Sequence, residues 1–207
     1  MNKQKYSYKS DWDKIYSTYA FEQLPWIDAE LNPKIIDFVK SLPGHLQVLD
    51  IGCGDGRLSD FLSFINDNII TAIDISAEVI SLCSKRKGNV NYQVRDAFQL
   101  DNSETYDVVI CGFLIHHILE NDIKQLLDII TGVTKSDGYI LLTYLSPQLK
   151  YNQRRKSLFT TEHDVILYDF NYLRKLLPQF ELIDKSRHRL NKEDMSFEYE
   201  LLIFKRR

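Results

Sequence analysis

Apolar residues fall along this chain in short runs separated by longer stretches of mixed polarity. The runs at 47–51, 69–74, 90–95, 106–111 and 138–144 are of strand length, and most are continuous and rich in Val, Ile and Leu. Continuous apolar runs of this length predict strands buried on both faces of a parallel sheet. The segments between them carry helical spacing. Residues 55–64 are amphipathic, and 76–86 opens on Ser76 at an N-cap position with Glu78 in the first turn. In 121–134, Ile123, Leu126, Leu127 and Ile130 recur at steps of three, four and seven. Alternation of this kind predicts an α/β fold, a three-layer, doubly wound arrangement around a mostly parallel sheet.

The two ends depart from that rhythm. A helix is expected at 169–177, stopped by Pro178, and then two strands at 180–187 and 197–204 joined by a polar link at 190–196. Two strands with a short link should pair antiparallel, which completes a seven-stranded sheet with a C-terminal antiparallel hairpin. Residues 1–45 hold both tryptophans, Trp12 and Trp26, together with Tyr6, Tyr8, Tyr16 and Tyr19. This stretch reads as an N-terminal helical cap, turn-rich around Pro25-Trp26 and Asn32-Pro33, leading into a helix at 33–41. It is either a helical pair packed on the sheet edge or a lid whose aromatics close over a ligand. Residues 46–207 form the body, and the whole is expected to be one compact unit.

Composition narrows the class. With 207 residues, 44% hydrophobic and 27% charged, the chain suits one globular domain and excludes a disordered or fibrous protein. A formal net charge of −3 gives no whole-protein pull toward nucleic acid or an anionic membrane. The three cysteines, Cys53, Cys83 and Cys111, form no C-x-x-C pair, which argues against a zinc ribbon and suits a reducing compartment. No apolar run approaches the roughly 20 residues of a membrane span. No signal peptide is visible at the start. The expectation is a cytoplasmic protein, a monomer or weak dimer, with no membrane association and no metal.

The candidate chemistry begins at Val48-Leu49-Asp50-Ile51-Gly52-Cys53-Gly54-Asp55-Gly56. A strand, a glycine-rich turn and a helix make a nucleotide-cofactor geometry, because glycine lets the backbone approach a ligand and the helix offers free N–H groups. The spacing is G-x-G-x-G followed by Arg57, whereas a dinucleotide fingerprint needs its third glycine later. Asp50 at the strand end would repel a pyrophosphate and suits a cationic ligand. Asp74, at the end of the second strand, can accept hydrogen bonds from both hydroxyls of a ribose, a feature that NAD enzymes share.

These blocks, with Val94-Arg95-Asp96-Ala97-Phe98 and the segment 106–118, resemble in order those of the class I, Rossmann-like S-adenosylmethionine-dependent methyltransferases. The resemblance covers roughly residues 45–145. It implies that Asp50, Gly52, Cys53 and Gly54 line the methionine part of the cofactor, with Asp74 on the ribose and Ile75 against the adenine. It places Asp96, Ala97 and Phe98 near the adenine amino group, Asp96 being alternatively a helix N-cap. Cys111 and Gly112 would pass under the methionine moiety. The front segment, Trp12-Asp13-Lys14-Ile15-Tyr16 with Leu24-Pro25-Trp26, resembles the small-molecule branch near thiopurine and tellurite-resistance methyltransferases. That similarity implies an arm closing the pocket, with Tyr16 and Trp26 near the cofactor; the alternative for Trp12 and Tyr16, four apart on one helix face, is a pair of core staples.

The acceptor side is less defined. Cys111-Gly112-Phe113-Leu114 replaces the Asn/Asp-Pro-Pro-aromatic motif of enzymes that methylate the exocyclic amines of adenine or cytosine, which argues against base N-methylation of that type and leaves other RNA or protein targets open; nucleic acid is not the expected partner. His116 and His117 are candidates for a general base, one of them alternatively capping the next helix. Tyr144, Trp12, Arg154 and Arg155 are the substrate-side candidates. The two arginines lie in a basic run, 146–156, that either clamps an anionic group or is a solvated surface loop. The function expected is methyl transfer from S-adenosylmethionine to an O, N or S nucleophile of a small molecule, releasing S-adenosylhomocysteine. The alternatives are a noncatalytic S-adenosylmethionine-binding partner subunit and, further off, an NAD(P)-dependent oxidoreductase.

Overall fold

A computed structural model describes residues 5–18, 31–147, 166–192 and 195–207. The elements in chain order are α1 (Lys5–Thr18), α2 (Pro33–Ser41), β1 (Gln47–Ile51), α3 (Arg57–Ser63), β2 (Ile69–Asp74), α4 (Ala77–Cys83), β3 (Val90–Val94), β4 (Tyr106–Cys111), α5 (Glu120–Val133), β5 (Thr134–Tyr144), α6 (Phe170–Leu176), β6 (Phe180–Lys192) and β7 (Met195–Arg206). Single 3₁₀ turns at Ala97–Gln99 and Ile115–His117 follow β3 and β4.

The strands form one sheet in the order β3-β2-β1-β4-β5-β7-β6. The first five are mutually parallel, and β7 pairs antiparallel with both β5 and β6. Because alternate side chains point to opposite faces, the continuous apolar runs fill two cores. On one face Leu49, Ile51, Val109, Ile140 and Leu142 meet the α5 stripe of Ile123, Leu126, Leu127, Ile130 and Val133. On the other, Val48, Ile70, Val108, Ile110 and Leu141 meet Ile35 and Val39 of α2 and Leu62 of α3. Each fully buried aliphatic side chain contributes about 1.5–3 kcal/mol, so the two faces hold the sheet from both sides.

Local signals place the helix starts. Asn32 caps α2 with its side-chain oxygen on the Lys34 N–H, and Pro33 takes the first helical position. Ser76 caps α4. Asp169 caps α6 through the N–H groups of Asn171 and Tyr172. The expected polar link at 190–196 is a correction: β6 runs on to Lys192 and β7 starts at Met195, so most of that stretch is paired in the hairpin. Likewise β5 starts at Thr134 rather than 138, directly where α5 ends. Polar residues there join the sheet because the ladder supplies their backbone hydrogen bonds, which hydropathy does not register. Among the described residues no helix is long and apolar enough to cross a membrane.

Candidate active site

Five parallel strands end on one edge, and the loops leaving it carry nearly all the candidate residues. The β1–α3 loop is held tightly. The Gly52 and Cys53 N–H groups both bond to the Ile73 carbonyl, and the Gly54 N–H donates to Asp74 Oδ2 at 3.1 Å. Gly52, Gly54 and Gly56 all have positive φ, 70°, 53° and 72°. At Gly56 a Cβ would also stand 2.7 Å from the Tyr92 hydroxyl, so both backbone and packing require glycine there. Asp55 is clasped by Arg57 and Arg86, whose Nε also bonds to the Asp55 carbonyl at 2.6 Å.

Three carboxylates converge below and beside this loop. Asp50 is 3% exposed and accepts a 2.6 Å bond from the Ser59 hydroxyl, which ties β1 to α3. Burial pushes its carboxyl up to about 6, the Ser59 bond opposing and the Asp74 and Asp55 charges reinforcing. Burial also raises Asp74, against the N–H groups of Ser76 and Gly54 that it accepts. Asp55 is raised by burial and pulled back by its arginines. A buried group of carboxylates held above its ordinary range stores electrostatic cost that a cation would relieve.

On the far side of Asp74, Ile75 is half-buried. Asp96 accepts from the Phe98 N–H at 2.9 Å and so caps the turn Ala97–Gln99. Ala97 and Phe98 pack against the larger core. Across the edge, Cys111 is buried at the end of β4. No described atom lies within 4 Å of where a Cβ on Gly112 would stand, so the backbone there faces open space.

α1 stands over the loop. Asp13 accepts a 2.6 Å bond from the Ser76 hydroxyl, beside Asp74. The Tyr16 hydroxyl is 3.6 Å from the Cβ position of Gly54, and burial with the Asp74 charge raises its phenol well above the ordinary range. Trp12 stacks on Tyr16 with centroids 5.8 Å apart and meets the His117 ring edge-on at 5.0 Å. The His117 and His116 rings are 4.2 Å apart, His117 half-buried and His116 buried. Trp12, Tyr16, His117 and the glycine loop therefore come together around the same edge.

Tyr144 is a correction. It is fully buried, and its hydroxyl donates to Glu200, which Lys185 approaches at 3.4 Å. It is a core residue under the end of β5 and not a wall of the open edge, because the strand's pleat turns residue 144 toward α5 and α6. Trp26, Arg154 and Arg155 lie outside the described residues.

Residues that the sequence did not single out complete the edge. Phe113 has φ 54°, left-handed for a bulky residue, with its N–H on the Thr143 hydroxyl at 2.7 Å. Its ring meets Tyr199 edge-on at 4.7 Å. Tyr199 stacks on His188 at 5.4 Å, and its hydroxyl accepts from the Asn32 amide at 3.0 Å. The ring contacts form an aromatic series from α1 through the β4 loop to the β6–β7 hairpin. The alternation of β7 could have marked Tyr199 as inward-facing; nothing local marks Phe113.

The edge thus belongs to a seven-stranded sheet of order β3-β2-β1-β4-β5-β7-β6, with a glycine loop after β1 and an acidic residue ending β2. Residues 48–138 match the family model described as a methyltransferase domain. The chain is 33% identical over 113 residues to the tRNA (carboxymethyluridine(34)-5-O)-methyltransferase of Arabidopsis thaliana, covering 54% of this chain and 27% of that protein. It is 26% identical over 129 residues to the ubiquinone biosynthesis O-methyltransferase of Hydrogenovibrio crunogenus, covering 58% and 52%. This chain thus spans about half or less of the length of these two curated relatives. In fold it is similar to the Burkholderia thailandensis 1,6-didemethyltoxoflavin-N1-methyltransferase, with a TM-score of 0.75, 18% identity, and coverage of 100% of this chain and 91% of that one. Among the described residues no group of three or more His, Cys, Asp or Glu side chains is placed to hold a metal ion.

Proposed function

We propose that this chain transfers a methyl group from S-adenosylmethionine to a small, planar acceptor through an O, N or S nucleophile. The observation that carries the reading is the buried carboxylate pair, Asp50 and Asp74, bracketing a positive-φ glycine loop at the carboxyl edge. That donor set fits the cofactor: negative charge for its ammonium and sulfonium, a carboxylate for its ribose, and open backbone beside Gly112. When bound, S-adenosylmethionine supplies an electrophilic methyl group on sulfur.

In this reading Gly52, Cys53 and Gly54 let the main chain approach the methionine part, and Asp50 holds the negative potential beneath it. Asp74 accepts the ribose hydroxyls, while Ile75, Asp96, Ala97 and Phe98 surround the base. Cys111 and Gly112 present carbonyls. Tyr16 covers the loop from α1, with Trp26 assigned there from the sequence. Trp12, His117, Phe113 and Tyr199 offer aromatic faces to the acceptor, which favours a flat conjugated ring. His117, half-buried beside Trp12, is the residue to take the acceptor's proton, with His116 buried behind it. Placement does the rest, since a neutral nucleophile attacking a cation needs little beyond in-line alignment. Arg154 and Arg155 are assigned to an anionic group of the acceptor. The relatives named above act on a tRNA base, a ubiquinone precursor and a toxoflavin precursor by their names; the net charge of −3 supports the small-molecule side of that range. The protein is proposed to be cytoplasmic and a monomer or weak dimer, with residues 1–45 as cap and 46–207 as the catalytic body.

Isothermal titration with S-adenosylmethionine and S-adenosylhomocysteine tests the donor half. Both should bind, and absence of heat for both overturns the proposal. Methyl-³H transfer to panels of phenols, heteroaromatic amines and thiols tests the acceptor half. Label appearing in tRNA, and in no small acceptor, redirects the acceptor class.

A further inference from the structure

Two thiols meet under the glycine loop. Cys83, in the last turn of α4, donates to the Gly54 carbonyl at 3.2 Å, and Cys53, in the loop itself, approaches the same oxygen at 3.9 Å. Both sulfurs thus stand against one carbonyl oxygen. All three cysteines are free thiols, Cys53 half-buried, Cys83 and Cys111 buried.

We propose that Cys53 and Cys83 are an intramolecular thiol–disulfide site, closed by exchange with a small disulfide, which draws the loop toward α4 and deforms the edge. The first step is attack of the Cys53 thiolate, the more accessible, on one sulfur of the small disulfide. A Cys53 mixed disulfide forms and one small thiolate leaves, taking up the proton Cys53 gave away. The Cys83 thiolate then attacks the Cys53 sulfur and expels the second small thiol. Two cysteine thiols lose two electrons and two protons, and one small disulfide becomes two thiols.

A disulfide bond is about 2.05 Å long, shorter than either sulfur's distance to the carbonyl they share. Closing it moves Cys53 toward α4 and carries Gly52 and Gly54 with it. The Gly54 N–H is bonded to Asp74 at 3.1 Å, so the shift is felt at the carboxylate that ends β2. The neighbouring Cys83 thiol, burial and the Asp50 and Asp74 charges raise the Cys53 thiol, so exchange is slow near neutrality and is best driven in mild alkali.

The test treats the full chain with oxidised glutathione at about pH 8.5, alkylates remaining thiols and digests with trypsin without reduction. The expected product is residues 41–57 joined to 58–85 through Cys53 and Cys83, with Cys111 alkylated. Cys83→Ser and Cys83→Ala should both leave Cys53 carrying glutathione. Persistent glutathionylation of Cys53 in the unmutated chain, or a link to Cys111, overturns the proposal. The effect on the edge rests on the cofactor reading: the linked chain should bind S-adenosylhomocysteine at least about tenfold more weakly, reversibly with dithiothreitol. Equal affinity in both forms overturns the deformation. A reduced chain that binds no S-adenosylhomocysteine sinks the methyltransferase reading instead, and the peptide map still decides the linkage.

Discussion

The two ends of the carboxyl edge are built in opposite ways. At the β1–β2 end, Asp50, Gly52, Gly54, Ser59 and Asp74 lie within one β-α-β unit, and their contacts are polar and anionic. At the β4–β7 end, Trp12, Asn32, Phe113, His117, His188 and Tyr199 come from five separate parts of the chain, and apart from the Asn32 hydrogen bond their contacts are ring on ring. The first is a charge site whose geometry is set by local turns. The second is a shape site whose geometry exists only after the sheet, α1 and the hairpin have assembled. A cofactor common to many reactions suits the first kind, and an individual acceptor the second.

Damage to the loop should give the largest effect and fall on both sides. Gly56→Ala places a methyl group 2.7 Å from the Tyr92 hydroxyl at a φ of 72°. A loss of about 2–4 kcal/mol of stability is expected, read as a lower urea midpoint. An unchanged midpoint would show that the loop relaxes freely.

Asp74→Ala should separate the two ends. Cofactor affinity should weaken by about 1.5–3 kcal/mol by titration, the scale of hydrogen bonds to a charged group. The KM for an acceptor should stay within about twofold, since its aromatic contacts are untouched. Equal losses on both would mean that the two ends act as one site.

The charge contrast has its own pH signature. Asp50 titrates near 6 in the folded protein against an ordinary 3.8, so protonated Asp50 adds stability that is present below the lower value and lost as pH rises through the higher one. Binding of a cation runs the other way, because it favours the carboxylate. S-adenosylmethionine affinity should therefore rise about tenfold from pH 5 to 7.5, while S-adenosylhomocysteine, lacking the sulfonium, follows a shallower curve. Parallel curves would remove Asp50 from the electrostatic account.

The smallest effect belongs to the far end. Tyr199→Phe keeps the ring against Phe113 and His188 but leaves the Asn32 amide without its 3.0 Å acceptor. A cost of about 1 kcal/mol is expected, read as a severalfold higher acceptor KM with cofactor affinity unchanged. A change in cofactor affinity alone would assign Tyr199 to the wrong end.

Legibility followed the same division. Strands β1, β2 and β4 fall at their expected positions because buried parallel strands are continuous apolar runs, and Ser76 and Asp169 cap where short polar side chains precede helical spacing. The ends of β5, β6 and β7 differ from expectation because backbone pairing extends to Thr134, Lys192 and Met195, which hydropathy does not register. Asp50 and Asp74 were legible as strand-end carboxylates in the loop's own segment. Tyr144, a substrate-side candidate in the sequence, lies in the core, since which face a strand residue takes depends on what packs there. Phe113 was invisible because a left-handed φ has no side-chain signature, whereas the alternation of β7 marks Tyr199 as inward-facing without naming its partners, which lie far off in sequence.

By itself, then, the sequence determined the doubly wound sheet, its antiparallel ending, and the anionic glycine loop. Each of these is written in the period of apolar residues or in the backbone needs of residues within about 30 positions of one another. Only the tertiary structure decided that α1 stands over that loop, that Cys53 and Cys83 share one carbonyl, and that residues from five segments meet at the other end of the edge. Those arrangements follow from how packed layers bring separate segments into contact, and no local periodicity encodes which segments will meet.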